Sequence, residues 1–425
     1  MTNRRPMSPQ PSSSTDTPAA CAVAPPATES GGAESEIRRL RLLVYAVVLV
    51  SSLLQTAIAP LLPSYAHRFH LGGLQTAALL AATGIAALAV SIPAGTMADR
   101  FGARGLTLCA GWLMAVATAA QAFAPSYSML LLARLVFGLG YGMVWTAALA
   151  WLANASRDEA ALAGTVTVSG LGSIVGPAFA GFIAQYLGLA APFVVAAGLM
   201  AVLTVMLTSI HAEGVSSVVR ISMFASLRAA AGDVRVLGAT TAVVVAGSTA
   251  AVTTLLVPLE LHAAGASEGS IGLVFSAAAV LFIIGSAATG WVGQRAVRLR
   301  TVLAAALFLA FAISPATAST APLCIVVMLC ATAALRSVLW TVGYPLGATG
   351  ANQSGVGLGV VMGILNGVWA LSAVVSPLVA GALVGPFGAR ATFGITQIAL
   401  GAGLVVVWFA LRMGGPVRRM RIGNT

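Results

Sequence analysis

Between Leu40 and Arg412 the chain alternates long apolar runs with short segments rich in glycine, proline and arginine, and no other feature narrows its fold so far. A hydrocarbon core of about 30 Å, divided by the 1.5 Å rise of a helix, needs roughly 20 residues per crossing. In that medium every backbone polar group must find a partner inside the protein, which a helix provides for itself. Runs of sufficient length fall at 40–63, 73–94, 105–124, 127–150, 160–185, 190–211, 236–262, 269–291, 300–319, 322–347, 354–384 and 388–412. Only 8% of the 425 residues are charged and 59% are hydrophobic, whereas a soluble domain carries about 25% charged residues. A soluble enzyme is excluded. The expected fold is an all-α polytopic membrane protein with twelve transmembrane helices.

The formal net charge is +11. Nucleic-acid binding would require basic residues gathered on one solvated face, but here they are scattered between apolar runs, and all 22 are arginine. Their distribution follows the positive-inside rule. Eighteen fall in the tails and in alternate loops, and only Arg68 and Arg390 fall in the opposite loops. Both termini are therefore expected to be cytoplasmic, in a multi-pass protein of the cell membrane. Arg134 and Arg336 remain, and both lie within spans. The four cysteines, Cys21, Cys109, Cys324 and Cys330, form no CxxC pattern and read as small apolar fillers.

Composition also divides the chain. Residues 1–36 are rich in Pro, Ser, Thr and Ala without apolar periodicity, the mark of a disordered tail. Arg38-Arg39 followed by the run 40–62 imitates a secretory leader. That run is too long for a signal core, so a first membrane helix with a basic anchor is the simpler account. The longest central polar stretch, 212–235, separates a six-helix unit at 37–211 from another at 236–412, and 413–425 form a basic tail. Within the central stretch, Ile221 to Leu227 reads equally as an amphipathic helix on the inner leaflet or as a solvated loop. The two units are pseudo-symmetric. Gly176-Pro-Ala-Phe-Ala-Gly181 returns as Ser376-Pro-Leu-Val-Ala-Gly381, and Gly188 and Phe193 match Gly388 and Phe393 at the same offset. Parallel repeats with a binding site between them near the midplane are a transporter design.

After the second span comes Gly95-Thr-Met-Ala-Asp99-Arg100-Phe-Gly102-Ala-Arg104-Gly105. This segment resembles the signature G-x-x-x-D-R-x-G-R-[KR]-x of the major facilitator superfamily, with Ala103 departing from the pattern. The resemblance implies the major facilitator fold, and a cluster that locks the cytoplasmic side when the transporter faces outward. In the second half the matching loop carries Gln294 in place of the acid. Arg134-Leu-Val-Phe-Gly138-Leu-Gly140-Tyr-Gly142 is similar to the superfamily's R-x-x-x-G-x-G-x-G. Gly172, Gly176, Pro177 and Gly181 resemble the motif that marks its proton-coupled antiporters, although Gly164 is one residue out of register and Ala180 replaces a usual glycine. Pro177 removes a backbone donor, so a hinge and plain helix packing are both readings of this segment. Gly355, Gly359, Gly363 and Gly367 read as a groove for a neighbouring helix.

The resemblance further implies that spans one, four, seven and ten line a central cavity. A charge inside the membrane is a functional candidate by default, and two of these spans carry arginine with aromatics. Arg134, Tyr141 and Trp145 share one face of span four, and Arg336, Trp340 and Tyr344 share one face of span ten. Such faces offer stacking and cation–π capacity to a flat guest; helix packing, an interfacial belt or a snorkelling Arg134 are the plainer accounts. Gln55 is the central polar residue of span one. No carboxylate stands there, so the proton-coupling candidates are Asp99, Glu260 near the outer end of span seven, or the substrate's own ionisation. The expected function is alternating-access, proton-coupled efflux of neutral or amphiphilic small molecules, as in drug export. The alternative is a carrier for an anionic metabolite using Arg134 and Arg336. No cofactor or metal is expected, the partners are the bilayer, protons and a small molecule, and the state is a monomer. No His/Asp/Glu cluster lies on one helix, so intramembrane enzyme chemistry has no support.

Overall fold

The computed structural model describes residues 27–156, 159–211, 233–354 and 358–413, and all regular structure among them is helical. The central stretch expected at 212–235 lies outside the described residues except for its last three. Helix α1 runs Ala27–Ala57, and a 3-10 turn Ala59–Leu61 and a short helix Leu62–Arg68 carry it to the far side. Pro60 and Pro63, each without an amide hydrogen, fall at this break. There follow α2 (Gly73–Phe101), α3 (Ala103–Ala122), α4 (Tyr127–Ser156), α5 (Glu159–Leu187) and α6 (Ala191–Thr208). The second half holds α7 (Val234–Ala263), α8 (Glu268–Val292), α9 (Leu299–Ala318) and α10 (Pro322–Ser354).

The last helical stretch, Leu358–Met413, is broken at Gly388, where φ is 75° and ψ 167°. Its 56 residues would measure about 84 Å as one rod, far more than a bilayer needs. The break makes two crossings, α11 (358–387) and α12 (389–413). The expected twelve spans therefore stand, with one correction: the helix of the first span starts at Ala27, inside the segment expected to be a disordered tail. Extending an existing helix is easier than nucleating one, since each added residue contributes a hydrogen bond.

The two main cores follow the sequence halves, with a smaller cluster of Val236, Ala239, Val243, Ala351, Val361 and Leu365 beside the second. In the first, Leu40, Tyr65, Met114, Phe137 and Phe193 are buried together, with the Tyr65 and Phe193 rings 6.3 Å apart. In the second, Leu255, Leu309, Met328 and Phe393 do the same. The offset repeat has a geometric counterpart. Gly188 and Gly388 both take a positive φ, of 89° and 75°, a region costly for residues with a Cβ. Phe193 and Phe393 are each 1% exposed five residues later.

Twelve crossings leave the chain's two ends on the same side; the opposite side is called outer below. At the outer side the bundles touch along two seams, α2 on α11 and α5 on α8. Gly73 meets Gly381 and Val384, and eleven residues deeper Gly84 meets Val374 and Ala373. Nearer the terminal side contact ends. Gly95 on α2 and Gly363 and Gly367 on α11 have nothing within 4 Å of where a Cβ would stand. The two glycines on α11, expected to pack a neighbouring helix, face open space instead. The bundles are thus closed at the outer side and parted at the terminal side.

Candidate functional site

The closed outer side is built largely from backbone. A side-chain carbon at Gly381 would lie 2.5 Å from both the Ala77 Cβ and the Gly73 carbonyl oxygen. On the other seam, Gly181 abuts the Glu268 carbonyl and Gly272 abuts the Pro177 carbonyl. Of the antiporter-like segment, then, Pro177 and Gly181 face the second bundle. Gly172 and Gly176 instead pack inside their own bundle, against Leu49, Ser52, Leu53 and Thr56 of α1. Gly164 joins them beside Tyr45, whose hydroxyl donates to the Ala161 carbonyl at 2.8 Å.

Hydrogen bonds cross the second seam. Next to Pro177, a side chain of α8 bonds the main chain of α5. The Ala178 amide donates to the Ser276 hydroxyl at 3.2 Å, and that hydroxyl donates to the Ile174 carbonyl, the regular partner of residue 178 in a helix. Ser276 thereby bridges two main-chain groups of α5, at a position 9% exposed. Closer to the outer surface, the Gly269 amide donates to Gln185 Oε1 at 3.2 Å and Ser64 donates to Glu268 Oε1. Sequence reasoning missed Ser64, Gln185, Glu268 and Ser276, since each acquires its meaning from a partner on a distant helix.

The central face is carried by α10 and α11. Helix α11 presents Ala373 and Val374 to the first bundle. Asn366 continues the same stripe two turns nearer the terminal side, into the space between the bundles. The Tyr344 hydroxyl donates to Asn366 Oδ1 at 2.9 Å. The Trp340 ring stands 5.0 Å from that of Tyr344 and 6.2 Å, edge to face, from that of Trp369. Arg336 lies one turn above Trp340 and forms no hydrogen bond or ion pair with any described residue; its buried Nε is without a partner. Trp369 and Asn366 were not anticipated, although a lone tryptophan three residues after a lone asparagine in a span otherwise of small and aliphatic residues is a legible signal.

In the first bundle, α4 changes to π-helical pitch at Val144–Ala148, the segment that holds Trp145. Such bulges recur at functional sites. The Tyr141 and Trp145 rings lie 6.2 Å apart at a tilt of 56°, and Gln55 Oε1 is buried without a partner. At 1.5 Å per residue from the outer helix ends, Gln55 and Arg336 lie roughly 20 Å down and Trp145, Trp340 and Trp369 about 27 Å down. Four helices therefore bring orphan polar atoms or aromatic rings to similar depths. In native proteins such buried groups require a partner, protein or otherwise.

Arg134 does not share that wall. It is 1% exposed, donates from Nε to the Leu79 carbonyl of α2 at 3.2 Å and lies over the Phe137 ring at 5.4 Å. Its place on α4, one and two turns before Gly138 and Gly142, points it at α2, which both glycines also contact. It neither snorkels to the surface nor lines the central space in this state. Glu260 is half-buried three residues from the end of α7, well outside the central turns.

The signature after α2 folds as a sharp junction. Gly102, with φ 87°, separates α2 from α3. Arg104 turns back into its own bundle, donating from Nε to the Ile210 carbonyl at 2.7 Å and from Nη2 to the Thr208 carbonyl at 2.8 Å. A cation on the last carbonyls of α6 is a favourable helix C-terminus. Arg100 is exposed, and the Asp99 side chain lies outside the described residues. Replacing Arg104 with alanine is expected to lower stability by about 1 kcal/mol, read as a lower unfolding midpoint in detergent.

A sequence profile of the Major Facilitator Superfamily matches residues 44–362. The probable vesicular acetylcholine transporter-B of Danio rerio is 34% identical over 186 residues, which are 40% of this chain and 38% of that one. An uncharacterised MFS-type transporter of Schizosaccharomyces pombe is 35% identical over 119 residues, 27% of each chain. The chain thus spans well under half the length of these curated relatives. Among solved structures, a bacterial homolog of the human lysosomal transporter Spinster, inward-facing and occupied, superposes with a TM-score of 0.72 at 14% identity, covering 89% of this chain and 97% of that one. A mutant nucleoside transporter NupG gives 0.67 at 14% identity, covering 89% of this chain and all of the other. At such identities the likeness is one of fold.

Proposed function

The chain belongs to the major facilitator superfamily, and from that premise we propose that it exports small amphiphilic molecules across the cell membrane in exchange for protons, by alternating access. It is a multi-pass membrane transporter of small molecules and not an enzyme. The observation that carries the finer reading is the pairing of a closed outer side with orphan polar atoms and exposed aromatics at mid-depth, open toward the terminal side. With arginines concentrated on the terminal side, that side is the cytoplasm and the state is inward-facing. The bundles are 27–211 and 236–412, joined by 212–235 and followed by a tail at 413–425, and the working unit is a monomer. Gly95, Asp99, Arg100, Gly102 and Arg104 are proposed to gate the cytoplasmic side in the opposite state, and Gly172, Gly176, Pro177 and Gly181 to serve closure and packing of α5.

Inverted vesicles energised to an acid interior test this. Addition of neutral or anionic amphiphiles is expected to release protons, and Asp99→Asn is expected to suppress that release. No release above vesicles lacking the protein overturns proton-coupled export. A second reading, a carrier for an anionic metabolite, is favoured by one observation: Arg336 has no partner at mid-depth.

A further inference from the structure

The same site discriminates by charge, and the whole sequence bears on how. The chain has eleven carboxylates: Asp16, Glu29, Glu34, Glu36, Asp99, Asp158, Glu159, Glu213, Asp233, Glu260 and Glu268. All lie in tails, in loops or within the end turns of spans. None stands in the central turns of a membrane helix. A cationic cargo at mid-depth would find no counter-charge, and it would meet Arg336. An unpaired arginine inside the membrane is costly and calls for an anion or an aqueous cavity. Arg134 also has buried nitrogens without partners, Nη1 and Nη2, but it is 1% exposed inside the first bundle at a shallower level, with Nε on the Leu79 carbonyl and its guanidinium over Phe137. Arg336 is therefore the cation left to the central space.

The groups around it specify more than charge. One turn below Arg336, Trp340 and Trp369 meet edge to face with Trp369 39% exposed. A planar ring gains stacking and buried area against such a pair. The bond from Tyr344 to Asn366 Oδ1 fixes the amide, so its two N–H donors remain for a guest. Guanidinium and amide both donate. The set complements a ring bearing acceptors, with a carboxylate, sulfonate or phosphate at one end, since an arginine fork binds such groups through two parallel bonds.

We propose that the cargo is a planar organic anion, its acid group on Arg336 and its ring against Trp340 and Trp369, so that the second bundle supplies most of the recognition. This rests on the reading of the central face as the cargo site. It narrows the amphiphile proposed above to an acid, and it assigns Trp369 and Asn366, which no motif marks.

The test is calorimetric titration of the full-length protein in lipid nanodiscs with three ligands of one shape: 1-naphthoate, 1-naphthamide and 1-naphthylmethylammonium. Naphthoate is expected to bind at least tenfold more tightly than the other two. Arg336→Gln is expected to erase that preference, and Arg336→Lys to keep most of it. Trp369→Ala should weaken naphthoate and naphthamide alike. Equal or tighter binding of the amide or the ammonium overturns the proposal, as does a preference that survives Arg336→Gln. Should Arg336→Gln fail to fold, the comparison of the three ligands on the unaltered protein decides alone. Binding of none of the three overturns the location of the cargo site itself. Failure of proton release in vesicles alongside selective naphthoate binding would instead remove proton-coupled export and leave this proposal standing.

Discussion

Gly381→Val is expected to reduce transport to the level of vesicles without the protein, while both bundles stay folded. The added carbon would lie 2.5 Å from the Ala77 Cβ and the Gly73 carbonyl oxygen, and neither can retreat, one being bound directly to its backbone and the other part of it. Both neighbours belong to the opposite bundle. The clash therefore falls on closure of the outer side and not on the core of either half. Residue 381 is in a regular helix, where valine is no worse than glycine intrinsically. Transport needs the outer side to close once per cycle, so a protein that cannot close it is arrested open to the outside. Accessibility of a cysteine placed on the outer seam to an impermeant reagent should rise, and the unfolding midpoint should move little. Gly176→Val is the contrast. Its neighbours Leu53 and Thr56 lie on α1 of the same bundle, so overpacking of about 1–3 kcal/mol is expected to appear as lost stability. Normal transport by Gly381→Val would mean that the closed outer side is no part of the cycle.

Ser276→Ala is expected to tilt the balance of states toward opening of the outer side, about tenfold, without loss of folding. In the closed state the Ser276 hydroxyl of α8 bridges the Ala178 amide and the Ile174 carbonyl of α5. Alanine removes both of these bonds between the bundles. Hydrogen bonds between membrane helices contribute about 0.6–2 kcal/mol, and 1.4 kcal/mol is the tenfold shift named. Spin labels on the outer ends of α5 and α8 would report the change as a larger population of long distances. Ser276→Thr, which keeps the hydroxyl, should restore most of the closed population. An unchanged distance distribution in Ser276→Ala would show that the bridging hydroxyl does not hold the bundles together.

Much of this architecture could be read in the residues, because a bilayer imposes a length on every apolar run. The break at Gly388 was legible because Gly188 repeats it, and the two share a backbone conformation that a chain with a Cβ resists. The central face was half legible. Arg336, Trp340 and Tyr344 fall on one side of a helix by spacing alone, and they do act together. Arg134 obeys the same spacing rule and is nevertheless turned away, since helical periodicity fixes which residues share a side but not which neighbour that side meets. Only the contact with α2, seen at Gly138 and Gly142, decides it. The same limit hid Ser276, a common residue whose role depends on a main-chain amide 98 positions earlier. The glycines at 363 and 367 show the reverse error. Four-residue spacing suggested a packed groove, but in a protein whose halves part on one side, small residues also line the surface that is left open.

At Gly73, Gly181, Gly272 and Gly381 the outer seams meet through glycine and main-chain carbonyls. Lipid is as apolar as such surfaces, so bringing them together gains little from the removal of water. What remains is contact between smooth faces. Interlocked side chains would have to leave their rotamers one after another before two bodies could part, and each would add to the barrier. Smooth faces can separate in a single rigid movement, with the activation energy confined to a handful of hydrogen bonds. The seam is thereby suited to speed and reversal, since it opens and closes at low cost every time a molecule crosses.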